Sequence, residues 1–370
     1  MKYPVRVLQV VATMNMGGIE NFLMNLYRNI DKDKIQFDFL ILNNEPNIFE
    51  EEIEALGGKV FKIESVKKAG YLKFIKNLKK FFKEKTGYKA IHSHYNIMNG
   101  IILYTSLNST ANIRISHSHS TNTGFSLLKN IFLYFSRFLL EKSKAKKFAC
   151  SRAAGIWLYG KNSSFNIIYN GIDASRYKYC ESIRENKREE LQLSKKDIIV
   201  GHIGSFRKVK NHDFIIEIFS ELYKKNENYK LILVGDGELK KEIEEKVDNQ
   251  ELKKNVIFLG IRKDVTELLQ LFDIFLFPSL YEGLPVSLVE TQASGLKCFI
   301  SENITREIDL GLGLVEFISL KKSALEWANI IEEKRKYSRK SKLEIIQEKG
   351  YDIGKTSNEL IEVYLGEKNV

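Results

Sequence analysis

The chain has 370 residues, 44% of them hydrophobic and 28% charged, a composition typical of a globular protein long enough for two domains. No apolar run reaches the roughly 18 residues of a membrane span, and the first one, VRVLQVVA, is too short for a signal peptide and lacks a cleavage site. The net charge of +11 comes without a nucleic-acid-binding motif, and three scattered cysteines argue against a disulfide framework and suit a reducing cytoplasm.

The first half of the chain alternates short apolar runs with amphipathic segments. Seven runs predict buried parallel strands: VRVLQVVA, FDFLIL, KVFKI, AIHSH, IRISHSH, KFACS and FNIIYN. The clearest helix is predicted over GGIENFLMNLYRNI, after the first strand. Gly17 and Gly18 open this segment, and the free N–H groups of a helix start can bind phosphate. A simple tight turn is the alternative for this glycine pair.

Residues 62–85 form a lysine-rich segment with nine lysines and two glutamates. Apolar residues recur there at helical spacing and predict an amphipathic helix. They are Leu72, Ile75, Leu78 and Phe82, widened by Phe74 and Phe81. One interpretation is a helix packed on a sheet with its lysines in water. The other is that residues 67–85 contact an anionic membrane surface.

Four histidines lie in two short runs. His92 and His94 are two residues apart, as are His117 and His119, so each pair shares one face of its strand. Four histidines suggest zinc, but no carboxylate or cysteine cluster accompanies them, so no metal is expected. Residues 125–147 then predict a second apolar helix, which Lys129 and Arg137 make interfacial or buried rather than spanning.

The second half repeats the alternation. Its apolar runs are DIIVGHIGSF, KLILVGDG, VIFLG, DIFLFPS, KCFISE and LVEFISL. Alternation of this kind builds parallel sheets with helices on both faces, and two sheets are more sensible than a single large one. The sequence therefore predicts an α/β protein with domains over 1–170 and 171–351. A final helix over about 352–370 has no partner that its own pattern reveals.

The segment FPSLYEGLPVSLVE, residues 277–290, holds two of the four prolines. Pro278 ends a strand, Gly283 permits a turn and Pro285 suits the start of a helix. Glu282 and Glu290 then point toward the crevice at the carboxyl ends of the strands, where open α/β sheets bind ligands. A glycosidase pair would need a separation of roughly 5–10 Å, which sequence cannot supply.

Several motifs occur together in a characteristic order. They are MNMGGIENFLMNL, RISHSHS (114–120), YNGID (169–173), IGSFRKVKNH (203–212), LVGDGEL (233–239), VIFLG (256–260) and GLP between two glutamates eight apart. This set resembles the retaining GT-B glycosyltransferases, specifically glycosyltransferase family 4, over nearly the whole chain. The resemblance implies two Rossmann-like domains across a deep cleft, with the final helix crossing back to the N-terminal domain. The N-terminal domain is then expected to bind the acceptor and the C-terminal domain the nucleotide-sugar donor.

The resemblance also assigns roles to individual residues. Lys210 is expected to meet the charge of the departing diphosphate, a role in which it needs no metal or other cofactor. Glu282 is expected to hold the sugar ring and Glu290 the ribose hydroxyls. The helix starts at Gly17–Gly18 and at Gly283–Leu284–Pro285 are expected to assist with their amides.

On the acceptor side the resemblance leaves two histidines open. His119 matches the histidine that contacts the donor sugar, and His117 is the rival if the register differs by two. His94 is expected to line the acceptor side or to cap its strand.

One position departs from the family pattern. Ser205 stands where many relatives have an arginine that grips the diphosphate. Arg207 could replace it, because both residues share a face if the stretch is extended. The alternative is a catalytically weak nucleotide-binding subunit that supports a partner enzyme.

The resemblance implies a cytoplasmic enzyme that makes surface polysaccharide, either free or at the inner face of the plasma membrane. It would transfer a hexosyl or N-acetylhexosaminyl group, with uracil expected as the donor base and guanine as the alternative. The acceptor would be a saccharide or a polyprenyl-linked glycan. An oxidoreductase is remote, because MNMGGIE and VGDGEL both lack the third glycine of a dinucleotide fingerprint.

Overall fold

The chain forms two compact units. The computed structural model describes residues 4–15, 17–119 and 127–368. Unit 1 comprises Met1–Ile172 with Gly350–Val370, and unit 2 comprises Asp173–Lys349. The sequence prediction put the first division two residues earlier, after residue 170, and the second two residues later, after residue 351.

Unit 1 is built on a parallel sheet of seven strands in the order β3-β2-β1-β4-β5-β6-β7. The strands are β1 Val5–Val11, β2 Ile35–Ile41, β3 Val60–Lys62, β4 Tyr88–Ser93, β5 Ile113–Ser118, β6 Lys146–Ala149 and β7 Asn166–Ile167. Each overlaps one of the predicted apolar runs. The chain order reverses between β1 and β4, so the carboxyl ends of these two strands form a switch point where such sheets bind ligands.

Helices cover both faces of the unit 1 sheet. They are α1 Gly18–Asn29, α2 Glu50–Ala55, α3 Val66–Ala69, α4 Tyr71–Glu84, α5 Asn99–Thr105, α6 Leu127–Ser143 and α7 Arg152–Tyr159, with α15 Ile353–Leu365 at the end of the chain. Successive β1 residues alternate between two apolar clusters, Val7 in one and Leu8 in the other. The final helix joins the cluster of Val7 through Leu360, Val363 and Tyr364, so it belongs to unit 1 as expected.

The lysine-rich segment differs from its prediction. It is not one helix, because Gly70 adopts φ 75° and separates α3 from α4. Phe74, Leu78, Phe81 and Phe82 are buried in the core, whereas Leu72 is 88% exposed and was wrongly placed in the apolar stripe. The stripe faces the sheet, as the first interpretation held.

The second predicted helix, over 125–147, is shorter than expected. α6 ends at Ser143, and β6 begins at Lys146. Phe125 and Ser126 lie outside the described residues. Among the helices that the structure describes, none combines the length and the apolar composition needed to cross a bilayer.

Unit 2 has a parallel sheet of six strands in the order β10-β9-β8-β11-β12-β13. The strands are β8 Ile198–Ile203, β9 Tyr229–Val234, β10 Val256–Gly260, β11 Ile274–Phe277, β12 Cys298–Ser301 and β13 Val315–Ile318. The helices are α8 Glu181–Glu190, α9 His212–Lys225, α10 Lys240–Asn249, α11 Val265–Leu271, α12 Val286–Ala293, α13 Ala324–Lys334 and α14 Leu343–Glu348. β8 and β11 are the neighbours at which the order reverses, so the loops after them meet at the switch point of this sheet.

Candidate active site

The loops after β8 and β11 bring Lys210 and Glu282 into contact. Lys210 Nζ lies 2.6 Å from Glu282 Oε1, although 72 residues separate them in the chain. Their side chains are only 14% and 17% exposed. The ammonium also lies 4.7 Å from the centroid of the Phe277 ring, a cation–π distance. Lys210 is therefore held at the carboxyl ends of the two central strands and does not face bulk solvent.

Main-chain contacts fix the position of the Lys210 loop. The amide of Leu280 donates to the carbonyl of Val209 at 2.8 Å, and the Asn211 side chain donates to the carbonyl of Pro278 at 3.1 Å. Asn211 itself adopts the left-handed conformation at the start of α9 (φ 58°), which asparagine tolerates. The two loops consequently form one connected surface.

The glycines of the VGDGEL motif serve this same loop. A Cβ atom on Gly235 would lie 2.1 Å from the carbonyl oxygen of Gly204, and one on Gly237 would lie 2.7 Å from that of Phe206. Both glycines also have positive φ. They allow the loop after β9 to pack directly against the loop after β8.

Ser205 and Arg207 lie side by side on this loop. The Arg207 Nε donates to Ser205 Oγ at 3.0 Å, and the arginine side chain is exposed. The pairing shows that the two residues share a face. It places a guanidinium beside the serine where the family pattern has its arginine.

The second glutamate of the motif has a partner that sequence reasoning missed. Pro285 caps α12, which begins at Val286 after Gly283 and the buried Leu284. The hydroxyl of Tyr177 donates to Glu290 Oε1 at 2.7 Å. Burial raises the pKa of the Glu290 carboxyl, and burial together with this carboxylate raises the pKa of Tyr177. Tyr177 follows YNGID by four residues, but no pattern in the sequence links it to a residue 113 positions away.

The turn at Gly17–Gly18 carries a carboxylate that was also missed. Gly17 caps α1, and a Cβ there would lie 2.3 Å from Glu20 Oε2, whereas a Cβ on Gly18 would meet nothing within 4 Å. Thr13 Oγ1 donates to Glu20 Oε1 at 2.6 Å. Burial raises the pKa of Glu20. The start of α1 thus already holds an acidic group, the kind that favours a helix N-terminus.

The four histidines of unit 1 form one stack of rings at the ends of β4 and β5. Ring centroids are 4.1 Å apart for His92 and His94 and 4.0 Å apart for His117 and His119. All four are buried, with His119 the most exposed at 8%. Burial lowers the pKa of each ring, that of His119 to about 3, so the stack is neutral at physiological pH.

A chain of hydrogen bonds fixes the tautomers of two of these rings. Gln9 Oε1 accepts from His94 Nε2 at 2.9 Å, which leaves His94 Nδ1 as an acceptor. His119 Nε2, 2.8 Å away, must then donate to it, and the bare nitrogen of His119 is Nδ1. The amide of Gln9 in turn donates to the Tyr364 hydroxyl at 3.3 Å, and that hydroxyl lies 2.8 Å from His92 Nδ1. A residue on the final helix is therefore connected to His119.

Three of the histidines could in principle hold a metal ion. The nearest ring nitrogens of His92, His94 and His117 lie within 4.8 Å of one another. Both nitrogens of His94 are already hydrogen-bonded, and within the described residues no carboxylate or cysteine joins the group. A dication there would carry its charge into a buried site without an anionic ligand, which is costly.

The predicted residues thus fall into two groups. Unit 2 contains Ser205, Arg207, Lys210, Glu282, Gly283, Leu284, Pro285 and Glu290, and unit 1 contains Gly17, Gly18, His94, His117 and His119. The unit 2 residues lie in the loops after β8 and β11 or in α12, and the unit 1 residues lie at the start of α1 or at the ends of β4 and β5.

Known proteins resemble this chain over its full length. Residues 183–306 match the family Glycosyl transferases group 1. The chain is 37% identical over 369 residues to a Bacillus subtilis (strain 168) protein named as the glycosyltransferase EpsF, covering 97% of this chain and 96% of EpsF. It is 26% identical over 378 residues to the capsular polysaccharide biosynthesis glycosyltransferase CapH of Staphylococcus aureus, covering 98% of this chain and 99% of CapH.

The fold also has counterparts among solved structures. The crystal structure of Anabaena HepE in complex with UDP and glucose matches with a TM-score of 0.77, covering 98% of this chain and 100% of HepE at 19% identity. This similarity supports the GT-B fold. Together with the two Rossmann-like sheets and the full-length identity to EpsF, it leads to one conclusion: the chain is a GT-B glycosyltransferase that belongs to the family Glycosyl transferases group 1.

Proposed function

We propose that the protein transfers a hexosyl or N-acetylhexosaminyl group from a UDP-sugar to a growing surface polysaccharide. The observation that carries this proposal is the contact of Lys210 with Glu282 at the switch point of the unit 2 sheet. CapH, named for capsular polysaccharide biosynthesis, supports the pathway, and the HepE complex with UDP and glucose supports the donor.

Lys210 would stabilise the leaving group. As the bond between the anomeric carbon and the diphosphate breaks, negative charge collects on the phosphate oxygens. A fixed ammonium and the first amides of α12 can meet that charge without a metal ion. In the free enzyme the ammonium is neutralised by Glu282. A bound diphosphate would compete for it and release the Glu282 carboxylate to accept hydrogen bonds from the sugar.

Glu290 and His119 would fix the other parts of the donor. Ribose hydroxyls can donate to the Glu290 carboxylate, whose Oε1 already accepts from Tyr177. The Nε2–H of His119 is committed to His94, and its Nδ1 is buried in the free protein, so Nδ1 would accept from a sugar hydroxyl once a neighbouring side chain such as Asn170 moves. This arrangement favours His119 over the fully buried His117 as the residue that contacts the ligand.

We assign the reaction to glycosyltransferase family 4, with retention of configuration. The acceptor hydroxyl would attack the anomeric carbon on the face that the diphosphate leaves. The new C–O bond forms as the old one breaks, and the hydroxyl proton passes to a departing phosphate oxygen. No separate general base is required in this step.

The acceptor is proposed to be a saccharide, free or polyprenyl-linked, handled at the cytoplasmic face of the plasma membrane. Residues 67–85 supply a lysine-rich surface that suits anionic lipid. Ser205 supports a second candidate function, that of a nucleotide-binding subunit with weak activity. The guanidinium of Arg207 beside it argues against that candidate, because it can replace the missing arginine.

The test combines donor binding with turnover. UDP at a hundred times its Kd should raise the free energy of unfolding by about 2.7 kcal/mol, and GDP and ADP serve as comparisons. Lys210→Ala and Glu282→Gln should each lower sugar transfer or donor hydrolysis by about 100-fold or more. Lys208→Ala is the matched control, because Lys208 is exposed on the same turn.

Equal activity in Lys210→Ala and Lys208→Ala would contradict the proposal. UDP binding by the wild type without any turnover would favour the weak subunit instead.

A further inference from the structure

Helix α6 exposes an apolar face that no described residue covers. Leu127, Ile131, Tyr134, Phe135 and Phe138 are each between 49% and 77% exposed. At 100° per residue they fall within an arc of about 100° on one side of the helix. The opposite side buries Leu133, Leu139 and Leu140 in the core. A surface helix normally has one apolar side, and this helix has two.

The start of α4 extends this face. Tyr71 is 52% exposed and its ring lies 5.7 Å from that of Phe132 on α6, and Leu72 follows it. We call Tyr71, Leu72 and the five α6 residues the aromatic face. Scattered exposed apolar residues are ordinary, but seven on adjoining helices indicate an interaction surface.

Cations border the aromatic face. Lys142 follows Phe138 by four residues and lies on the same side of α6, with Nζ 5.5 Å from the centroid of the Phe138 ring. On α4, Leu72 heads a row of lysines at positions 76, 79 and 83, none of which has an ion pair within the described part of the chain. The one acid in α6, Glu141, is paired with Lys147.

The positive charge around the aromatic face distinguishes between two occupants, a second copy of the chain and an anionic lipid surface. A symmetric dimer through the aromatic face would place this lysine border against its own copy, and like charges repel. An anionic lipid surface is complementary to it, and aromatic rings bordered by lysines suit the headgroup region of a bilayer.

We propose that the aromatic face docks unit 1 on an anionic lipid surface, with α6 lying in the headgroup plane. The surface predicted over residues 67–85 then contributes its first two apolar residues and its lysines, because Phe74, Leu78, Phe81 and Phe82 are committed to the core. The insertion itself comes from α6.

The position of this face suits a lipid-linked acceptor, a point that rests on the proposed function. Leu127 follows His119 by eight residues, and a chain spans at most about 3.6 Å per residue. The start of the face therefore lies within roughly 29 Å of the histidine that is proposed to contact the donor sugar. Docking would bring the diphosphate and sugar of a polyprenyl-linked acceptor, which lie at the level of the lipid headgroups, to that side of unit 1.

The experiment uses the full chain and vesicles of phosphatidylcholine with or without phosphatidylglycerol, separated by sedimentation. The wild type should partition into the anionic vesicles about tenfold or more better than into the neutral ones, and less at high salt. Ile131→Gln with Phe135→Gln should lose about tenfold, since both changes keep good helix formers but remove inserted apolar area. Lys76→Gln with Lys142→Gln should lose the anionic preference.

Matched controls are Leu325→Gln, an exposed apolar residue of unit 2, and Lys195→Gln with Lys321→Gln. All variants carry Trp327→Phe, so that fluorescence of the remaining Trp157 reports whether unit 1 is folded. Absence of sedimentation by the folded wild type at low salt would overturn the inference, as would equal losses in the controls. A dimer seen by light scattering that Ile131→Gln with Phe135→Gln dissociates, without vesicle binding, would do the same.

UDP binding is measured in the same samples. Vesicle binding that fails while UDP binding persists counts against the lipid surface alone. Loss of UDP binding with intact vesicle binding counts against the proposed function alone.

Discussion

His117 and His119 are chemically identical and occupy one strand end, yet their surroundings differ. Neither ring nitrogen of His117 has a hydrogen-bond partner at standard geometry within the described residues, and its ring packs edge-on to Phe22 and Phe148. His119 instead donates to His94 and keeps 8% of its surface exposed, whereas His117 keeps none. The sequence left open which of the two histidines contacts the donor sugar. Their hydrogen bonds separate two residues that the sequence could not tell apart.

The substitution His117→Phe should therefore be tolerated. It replaces unpaired polar atoms with an aromatic ring of similar shape, so we expect the free energy of unfolding to change by less than about 1.5 kcal/mol and activity to persist. His119→Phe should lower sugar transfer by about 100-fold while unit 1 remains folded. Urea unfolding and steady-state turnover measure the two effects. Equal loss of turnover in both variants would contradict the distinction.

Among the elements, the start of α1 offers a test of phosphate approach. Gly18 has open space where a Cβ would be, so Gly18→Ala should fit and raise the free energy of unfolding by up to about 1 kcal/mol. If donor phosphate approaches the backbone there, the added methyl group should still weaken UDP binding about tenfold or more. Calorimetric titration and thermal unfolding of the same variant separate the two quantities. Unchanged UDP affinity would show that Gly18 serves the turn only.

Strands were predictable from the sequence where both faces of the sheet are buried, because such strands are continuous runs of apolar residues. All thirteen runs became strands, because parallel strands covered by helices need no polar face. The lysine-rich segment was less readable. Leu72 and Phe74 are both apolar, and only the packing of α4 on the sheet decides that Phe74 is buried and Leu72 is not.

The candidate site was predictable as motifs but not as contacts. Lys210 and Glu282 were named from their loops, and their meeting follows from β8 and β11 being neighbours. Tyr177 beside Glu290, Glu20 beside Gly17, and Tyr364 beside Gln9 were missed. These partners depend on tertiary folding, since tyrosines and acids at such positions carry no local signal.

For the whole molecule, the distribution of histidines predicts unequal acid stability. All six are buried and burial lowers the pKa of each, that of His212 to about 4. The unfolded chain binds these protons below pH 6.5 while the folded units do not, so stability is present above that pH and is lost as pH falls. Each histidine contributes up to about 1.4 kcal/mol per pH unit. Unit 1 holds four and unit 2 holds two, so unit 1 should unfold first.

Two tryptophans allow this to be measured. Trp157 lies in α7 of unit 1 and Trp327 in α13 of unit 2. Fluorescence of Trp327→Phe should report acid unfolding of unit 1 at a higher pH than Trp157→Phe reports for unit 2. His117→Phe should move the unit 1 transition toward lower pH, because it removes one proton-binding group from the unfolded chain. Coincident transitions would contradict the assignment.

The placement of α15 in unit 1 has a consequence for biosynthesis. The ribosome delivers all of unit 2 before it delivers this helix, whose Tyr364 hydroxyl bonds with Gln9 and His92. Unit 2 can therefore complete its sheet on the nascent chain. During that time residues 1–172 lack α15, so part of their apolar cluster is uncovered. Of the two units, unit 1 is begun before unit 2 and completed after it. A chaperone that shields nascent chains would therefore bind the apolar cluster of unit 1.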